Sequence, residues 1–330
     1  MQKINILIVG YGAIGKQYHS LLLKNFKKYQ IVIVSKHKKK FQKNSEVIFE
    51  KSLAYVLKKY EIYAAIVCSP SSEHLLQLNT LLANNIHVLV EKPLFDKPIK
   101  KKKFNKLINI IEKNRLIVVT GYLLRHHPLI IKLKKELKAH SKKNIINIEM
   151  NTTSYLPNWR STPYQFSVSA QKKLGGGVLN ELSHEIDLIH NLFGMPKSCF
   201  VRIMNTKKLR IDVEDVAEAV INIDSKLKIF LHLDFSNYSE ARYIKINYKH
   251  HYLLLDFIKG KLIRREKNKT VQSFVKINKP RLLLKQFNFF LQSINQKKFS
   301  SENFISSAKV SYLIGRLKKS SSSNSEIKIS

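Results

Sequence analysis

The stretch that decides the fold is INILIV-GYGAIG, residues 4 to 15, where an apolar run meets a glycine-rich turn. A short, continuous apolar run is typical of a strand inside a parallel sheet. In the spacing GxGxxG, the first glycine permits a tight turn, the second lets backbone approach a pyrophosphate, and the third lets a helix pack on the strand. A helix that begins here directs free amides toward an anion. We therefore expect dinucleotide binding by Gly10, Gly12, Ala13, Ile14 and Gly15.

Further strand-like runs follow this motif, with helical patterns between them. They lie at 30–35, 64–69, 87–92 and 116–122. Strands separated by helices pair in parallel through right-handed crossovers. The pattern predicts an α/β protein that opens with a Rossmann doubly wound parallel sheet, and we expect this NAD(P)-binding domain at residues 1–122.

The pattern changes from about residue 145. Consecutive strand-like runs lie at 145–154, 199–204, 216–223, 227–235, 242–250 and 252–258, with one strong helical segment among them near 177–193. Runs of this kind favour antiparallel pairing, so residues 123–330 are expected to form an α+β domain with a mainly antiparallel sheet. Helices are expected at 281–296 and 301–318, followed by a frayed tail rich in Ser and Lys.

Composition sets limits on function. The chain has 330 residues, 44% hydrophobic, with a formal net charge of +36. Its lysines are scattered over the whole length, which favours solvated surfaces over a nucleic-acid interface. The two cysteines, Cys68 and Cys199, lack metal-ligand spacing, so no metal site is expected and a reducing compartment fits. The apolar run at the N-terminus is too short for a signal segment, and none approaches the length of a membrane span. A cytoplasmic protein is expected.

The end of the second strand bears on the choice of dinucleotide. A carboxylate about 20 residues after the motif accepts hydrogen bonds from the ribose 2′-hydroxyl. Here the strand ends in Ser35, Lys36, His37 and Lys38, without a carboxylate. The positive charge suits a 2′-phosphate, so we expect NAD(P)(H) with a preference for NADP(H). The alternative is a lysine-rich turn that has no bearing on the choice.

Three further segments resemble the Gfo/Idh/MocA family of sugar oxidoreductases, which includes glucose-fructose oxidoreductase and inositol dehydrogenase. They are CSPSSEH at 68–74, VEKP at 90–93 and GGGVLNELSHEID at 175–187. Two more, GYLLRHHP at 121–128 and YLPNWR at 155–160, are similar to a subset associated with bacterial surface-sugar biosynthesis.

The resemblance carries implications for the site and the assembly. It implies a cis peptide bond before Pro93 and self-association as a homodimer or homotetramer through the C-terminal sheet. It also implies that the nicotinamide side of the cofactor is lined by Ser69, Pro70, His74, Glu91 and Lys92.

Two residues are candidates for proton transfer. Hydride exchange with an alcohol carbon requires a group that moves the hydroxyl proton and steadies charge on oxygen. Lys92 lies at the carboxyl end of a predicted parallel strand, where ligands of such sheets bind. On the predicted 177–193 helix, His184 shares a polar face with Asn180 and Asp187. The alternatives are a solvated lysine and a wet helix surface. Asp187 is expected to orient the histidine or cap backbone.

The remaining candidates concern the substrate. Arg125 suits a carboxylate or phosphate, with an interdomain ion pair as the alternative. Tyr155, Trp159 and Arg160 suit a sugar face and its hydroxyls, although Trp159 is equally suited to a buried anchor. Family members usually carry Asp before the histidine, where this chain has Glu181 beside Asn180. Which of these two faces the substrate is left open.

The combined hypothesis is an NAD(P)-dependent oxidoreductase. It would transfer a hydride between nicotinamide and a secondary alcohol or ketone of a sugar or nucleotide sugar. The alternatives are a non-catalytic NAD(P)-sensing protein and, on charge alone, a nucleic-acid-binding protein.

Overall fold

A computed structural model describes residues 4–36, 47–139, 142–276 and 278–329. In these residues the chain forms two compact units. The first is Met1–Phe95, Ile99–Tyr122 and Lys279–Ala308. The second is Asp96–Pro98, Leu123–Asn278 and Lys309–Ser330.

A six-stranded parallel sheet forms the centre of the first unit, in the order β3-β2-β1-β4-β5-β6. Its strands are β1 (Ile4–Val9), β2 (Tyr29–Val34), β3 (Val47–Glu50), β4 (Ile62–Val67), β5 (His87–Val90) and β6 (Val118–Thr120). The crossover helices are α1 (Ala13–Asn25), α2 (Leu53–Lys59), α3 (Ser71–Ala83) and α4 (Lys101–Lys113). The predicted doubly wound sheet is therefore confirmed. The sequence pattern had not indicated β3 or α2, which are short.

Burial explains why these strands lie inside. The last four residues of β1 and of β4 are buried, which matches their continuous apolar sequence. On one side, Leu78, Leu81 and Leu82 of α3 pack into the same core cluster as Leu7 of β1. The strand order reverses between β1 and β4, and the carboxyl ends of strands at such a point are where doubly wound folds bind ligands.

A nine-stranded sheet dominates the second unit, in the order β14-β13-β12-β11-β7-β10-β9-β8-β15. Among its paired strands, β10 and β7 are parallel and the other pairs antiparallel, so the prediction of a mainly antiparallel sheet is confirmed. The strands are β7 (Ile145–Tyr155), β8 (Ser198–Met204), β9 (Val216–Asn222), β10 (Lys228–Asp234), β11 (Ser236–Tyr248), β12 (His251–Asp256), β13 (Lys261–Glu266), β14 (Thr270–Phe274) and β15 (Ile327–Lys328). Of these, β13, β14 and β15 were not predicted.

The helical part of this unit differs from the prediction in two respects. The helix α5 (Pro128–Ala139) was not predicted, and there are two helices, α6 (Val178–Glu181) and α7 (Ser183–Phe193), where one was expected. Leu182 interrupts them with φ −96° and ψ 30°. The preceding Gly177, at φ 104°, and the amide of Asn180, which donates to the Gly175 carbonyl at 3.0 Å, hold α6 to the glycine loop. After Leu182 the chain starts a new helix at Ser183.

The C-terminal segment is ordered, so the prediction of a frayed tail is wrong. Two helices, α8 (Lys279–Asn295) and α9 (Glu302–Ser323), precede β15. Ser320 is fully buried, its hydroxyl accepts from the Val201 amide at 3.2 Å, and it contacts the Cys199 carbonyl at 3.1 Å. The polar composition suggested fraying, but the Ser320 hydroxyl hydrogen-bonds to buried backbone groups of β8. None of the described helices is long and apolar enough to cross a membrane.

Candidate active site

The glycine-rich turn of the first unit has the geometry that its spacing predicted. Gly10 has φ 94°, and a Cβ there would lie 2.7 Å from the Ser69 amide nitrogen. A Cβ on Gly15 would lie 2.2 Å from the Gly10 carbonyl oxygen. Gly12 differs, because no described atom lies within 4 Å of a Cβ placed on it. Two glycines thus permit close packing, and the third leaves open space over the turn.

The start of α1 fits the pyrophosphate of a dinucleotide. Gly12 is the N-cap residue, and no described side chain caps the helix there. The first helical bond, from the Lys16 amide to the Gly12 carbonyl at 3.0 Å, leaves the amides of residues 13 to 15 outside the helical ladder. Ala13 is exposed and Ile14 half-buried, so this edge is accessible. Free amides beside open space are the donor set that a phosphate requires.

The end of β2 carries the first of the predicted selectivity residues. The Ser35 amide donates to the Glu50 carbonyl at 3.1 Å. The ammonium group of Lys36 lies 2.9 Å from Glu73, the third residue of α3, in an exposed ion pair. No sequence pattern indicates this pairing, since the two residues are 37 positions apart. The other two residues of that prediction, His37 and Lys38, lie outside the described residues.

His74 connects two loops at the carboxyl edge of the sheet. The ring is buried, and its nitrogens lie 2.9 Å from the carbonyls of Ser69 and Pro93. Pro70 is the N-cap of α3, and the Ser69 hydroxyl donates to Gln77 at 2.6 Å. His74 therefore holds the loop after β4 against the loop after β5. A direct contact of His74, Ser69 or Pro70 with a cofactor stays a prediction.

The loop after β5 contains Glu91 and Lys92. The Lys92–Pro93 peptide bond is cis, as the family resemblance implied. Glu91 is buried, and its carboxylate accepts from the Tyr18 hydroxyl at 3.0 Å and from the Lys92 amide at 3.3 Å. Burial raises the pKa of the Glu91 carboxyl, against the lowering effect of the Tyr18 hydrogen bond and of the Lys92 charge. Lys92 itself is half-buried at the edge where ligands of such sheets bind.

The second unit brings together the residues around the glycine loop 175–177. Asn180 is buried, and its amide is engaged by the carbonyls of Gly175 and Gly176. Glu181 is half-buried and accepts from the Ser169 hydroxyl at 3.0 Å. His184 is the second residue of α7 and is half-buried. The loop engages only the amide nitrogen of Asn180, and which of Asn180 and Glu181 contacts a ligand stays a prediction.

Arg125 forms a bidentate ion pair within the second unit. Its Nε donates to both Asp187 oxygens, at 3.1 and 2.9 Å, and a terminal nitrogen lies 2.5 Å from Oδ1. Asp187 is fully buried, and burial raises the pKa of its carboxyl even though Arg125 acts in the opposite direction. Both partners belong to the second unit, so the alternative of an interdomain pair is wrong. A role of Asp187 toward His184 stays a prediction, as does anion binding by Arg125.

The aromatic candidates lie after β7. The ring of Tyr155 lies against that of Tyr238, with centroids 4.2 Å apart and planes tilted by 31°, and Tyr238 is 80% exposed. Trp159 packs edge-on against buried Phe235 and donates from Nε1 to Ser154 at 3.1 Å, while Arg160 is exposed. Tyr238 was missed because it is 83 positions from Tyr155 in sequence. Only strand pairing between β7 and β11 indicates it.

The described residues contain no group of three or more His, Cys, Asp or Glu side chains arranged to hold a metal ion. The candidate groups are therefore amides, a lysine, a histidine and carboxylates. A bound nicotinamide dinucleotide would supply the hydride donor or acceptor, and these side chains are suited to holding the substrate and moving its proton.

Comparison with known proteins supports the two-unit description. Residues 4–122 match the family described as "Oxidoreductase family, NAD-binding Rossmann fold". Residues 132–250 match the family described as "GFO/IDH/MocA C-terminal domain".

A curated relative has a known activity. The chain is 27% identical over 210 residues to scyllo-inositol 2-dehydrogenase (NADP(+)) IolW of Bacillus subtilis strain 168. That match covers 61% of this chain and 55% of the relative, so just over half of the relative's length is spanned.

Solved structures share the fold at low identity. Levoglucosan dehydrogenase in complex with NADH superimposes with a TM-score of 0.83 at 13% identity, covering 100% of both chains. An oxidoreductase domain protein from Kribbella flavida gives 0.81 at 15% identity, also over 100% of both chains. Because the two matched stretches together cover more than half of the residues and carry the motifs described above, the chain belongs to the GFO/IDH/MocA family of NAD-binding oxidoreductases, as the resemblance predicted.

Proposed function

We propose that this protein oxidises a secondary alcohol, or reduces the corresponding ketone, on a sugar or nucleotide-linked sugar, with NAD(P)(H) as the redox partner. The observation that carries the proposal is the carboxyl edge of the parallel sheet. There the uncapped start of α1, the open space over Gly12 and the half-buried Lys92 belong to one unit. Such an edge is suited to a dinucleotide and to a proton-transfer group.

In this proposal two side chains handle the hydroxyl proton. Lys92 accepts it during oxidation and returns it during reduction, and as a cation it steadies charge that develops on the oxygen. His184 acts as general acid or base, or anchors the reacting hydroxyl. Glu181, Arg125 and Asn180 are the second unit's polar candidates for the substrate. The exposed aromatic pair of Tyr155 and Tyr238, with Arg160, is suited to one face of a sugar ring.

Turnover tests the proposal. The full chain would be assayed at the nicotinamide absorbance band with NADP⁺ or NAD⁺ and a panel of sugars, inositols and nucleotide sugars. The panel includes scyllo-inositol and levoglucosan, which are named for two similar proteins. We expect at least one panel member to be turned over, and we expect Lys92→Ala to lower kcat about a hundredfold, the scale of lost proton-transfer assistance. A chain that binds cofactor but turns over no panel member would favour the non-catalytic sensing alternative.

We further propose a preference for NADP(H) over NAD(H). Two observations support it: Lys36 presents a cation at the end of β2, and the relative from Bacillus subtilis is named as an NADP(+) enzyme. Glu73 opposes it, since its carboxylate holds the Lys36 ammonium at 2.9 Å. A 2′-phosphate has to compete with Glu73 for the ammonium group.

Equilibrium titration tests the preference. We expect NADPH to bind more tightly than NADH, and Lys36→Ala to reduce the difference. Tighter binding of NADH to the unmodified chain would contradict the preference without affecting the proposed reaction.

Self-association through the large sheet of the second unit is also proposed. Adjacent strands β8, β9 and β10 bring Phe200, Val220 and Phe230 into one row. The two phenylalanines are 43% and 44% exposed, which is unusual for side chains of this size on a solvated face. We expect sedimentation to show a dimer or tetramer that Phe230→Glu dissociates. A monomeric unmodified chain would contradict this proposal.

The cytoplasm is the proposed location, and nucleic acid is not among the proposed partners. Cys68 and Cys199 are both free and buried, which suits a reducing compartment.

A further inference from the structure

A buried chain of hydrogen bonds connects three elements of the first unit beneath Lys92. The amide of Gln286, on α8, donates to the Tyr18 hydroxyl at 2.6 Å. Tyr18, on α1, donates in turn to the Glu91 carboxylate at 3.0 Å. Gln286 and Tyr18 are fully covered, and Glu91 is 8% exposed. Polar groups without solvent are costly unless they are paired, so the three side chains depend on one another.

The carboxylate of Glu91 has little freedom to move. A Cβ on Gly121, just after β6, would lie 2.7 Å from its Oε1. The second oxygen accepts from the Lys92 amide at 3.3 Å. The carboxylate is thus packed against the neighbouring strand end and bonded on both oxygens.

These bonds hold the backbone of Lys92 on one side, and His74 holds it on the other. Glu91 contacts the Lys92 amide, while a ring nitrogen of His74 lies 2.9 Å from the Pro93 carbonyl. One anchor acts on the backbone amide of Lys92 and the other on the carbonyl of the next residue, so the backbone is held on both sides of the Lys92 side chain. A displacement of about 1 Å in a proton-transfer group is enough to lower turnover strongly.

We infer that Glu91, Tyr18 and Gln286 act as positioning residues for the reaction through Lys92, so that helix α8 contributes to catalysis from a distant part of the sequence. This inference rests on the proposed role of Lys92. Nothing in the family motifs indicates Tyr18 or Gln286, since one lies in the middle of α1 and the other 195 positions beyond Glu91.

The first test is a double-mutant cycle. Tyr18→Phe keeps the ring and removes the hydroxyl, and Gln286→Met keeps a similar volume and removes the amide. We expect each to lower kcat about tenfold, with KM and the Kd of NADPH unchanged within about twofold. In a Lys92→Ala background, we expect Tyr18→Phe to cause no further loss, because the two residues act on the same step.

Tyr29→Phe is the matched control. Tyr29 is another buried tyrosine of the first unit. It lies at the amino end of β2, and therefore at the opposite edge of the parallel sheet from Lys92. We expect kcat of this variant to equal that of the unmodified chain.

A second readout does not depend on turnover. The rate at which acetic anhydride labels Lys92, measured by peptide mass spectrometry on the cofactor-free chain, reports how firmly that lysine is held. We expect Tyr18→Phe and Gln286→Met to raise this rate severalfold while the rate at exposed Lys97 stays constant. A general loosening of the fold would raise both rates.

The outcomes separate this inference from the proposed function. If Lys92→Ala leaves kcat unchanged, the proposed role of Lys92 fails. If Lys92→Ala lowers kcat but Tyr18→Phe is equally harmful with and without Lys92, or leaves Lys92 labelling unchanged in a folded sample, the positioning inference is overturned. Should Tyr18→Phe not fold, Gln286→Met decides by the same criteria.

Discussion

The sheet edge of the first unit and the α6–α7 region of the second unit differ in how their polar residues are held. In the first unit, the residues that form the edge are close in sequence to the strand ends, and glycines accommodate backbone at short distances. In the second unit, the polar residues of α7 are held by charges from remote elements. Arg125 binds Asp187, and Arg242 of β11 binds Glu185 at 2.6 Å. Close backbone packing within the glycine turn holds the first region, whereas ion pairs between residues distant in sequence hold the second.

This difference determines which substitutions cause which kind of damage. An added Cβ destabilises the fold where the glycine turn is closely packed, as at Gly15, and occupies the proposed ligand space where the turn is open, as at Gly12. Removal of one partner from a buried ion pair leaves the other charge less compensated. Variants at Gly12 should therefore alter cofactor binding, and variants in α7 should alter stability first.

The largest expected effect is in the second unit. Asp187→Ala should lower the free energy of unfolding by about 3–5 kcal/mol, because it removes the buried carboxylate that pairs with the partly covered guanidinium of Arg125. Urea denaturation followed by circular dichroism measures this. Glu218→Ala, at an exposed pair with His232, is the control and should change the unfolding free energy by less than about 0.5 kcal/mol. Equal effects of the two variants would remove the distinction drawn for α7.

Two glycine substitutions test the packing and the open space of the glycine turn in the first unit. Gly15→Ala should destabilise the fold by about 1–3 kcal/mol, since its Cβ would overlap the Gly10 carbonyl. Gly12→Ala should leave the unfolding free energy nearly unchanged, because the space around that Cβ is open, yet should weaken NADPH binding more than about tenfold by occupying the space proposed for pyrophosphate. Thermal unfolding and fluorescence titration of both variants check this. Unimpaired NADPH binding by Gly12→Ala would contradict the proposed pyrophosphate site at the start of α1.

The stability of the fold should depend on pH through the buried carboxyl group of Glu91. Burial raises the pKa of the Glu91 carboxyl in the folded protein, so the folded state retains this proton to higher pH than the unfolded chain does. The associated stabilisation is present below the unfolded pKa and is lost as pH rises through the folded pKa. We expect the unfolding free energy of the unmodified chain, minus that of Glu91→Gln, to decrease as pH rises above about 4.3, the ordinary pKa of a glutamate side chain. Denaturant titrations at several pH values measure the difference, and a constant or rising difference would argue against the buried carboxyl.

The smallest expected effect concerns selectivity. Glu73→Gln releases the exposed Lys36 ammonium from its ion pair. We expect NADPH to bind about two- to fivefold more tightly, the scale of an exposed pair, with NADH binding unchanged. Titration of both cofactors on the variant and the unmodified chain checks this. Equal gains for the two cofactors would show that Lys36 does not select the 2′-phosphate.

The sequence predicted features that depend on local pattern. The strand-turn-helix at 4–15 and the doubly wound parallel sheet of the first unit follow from periodicity and crossover spacing, and the family from three short motifs. It did not predict features that depend on distant partners. Leu182 interrupts a helix whose apolar pattern is continuous, because the break is caused by the glycine loop. Ser320 is ordered by backbone groups of β8, which are about 120 positions away.

The cofactor itself provides the most direct test. The purified 330-residue chain, shown to be folded by circular dichroism, would be titrated with NADPH and with NADH while the nicotinamide fluorescence is recorded. We expect saturable binding that is tighter for NADPH than for NADH, and weaker binding of NADPH to the Gly12→Ala variant. No binding of either reduced cofactor to the folded chain, at concentrations up to about 1 mM, would contradict the proposal that the start of α1 holds a nicotinamide dinucleotide.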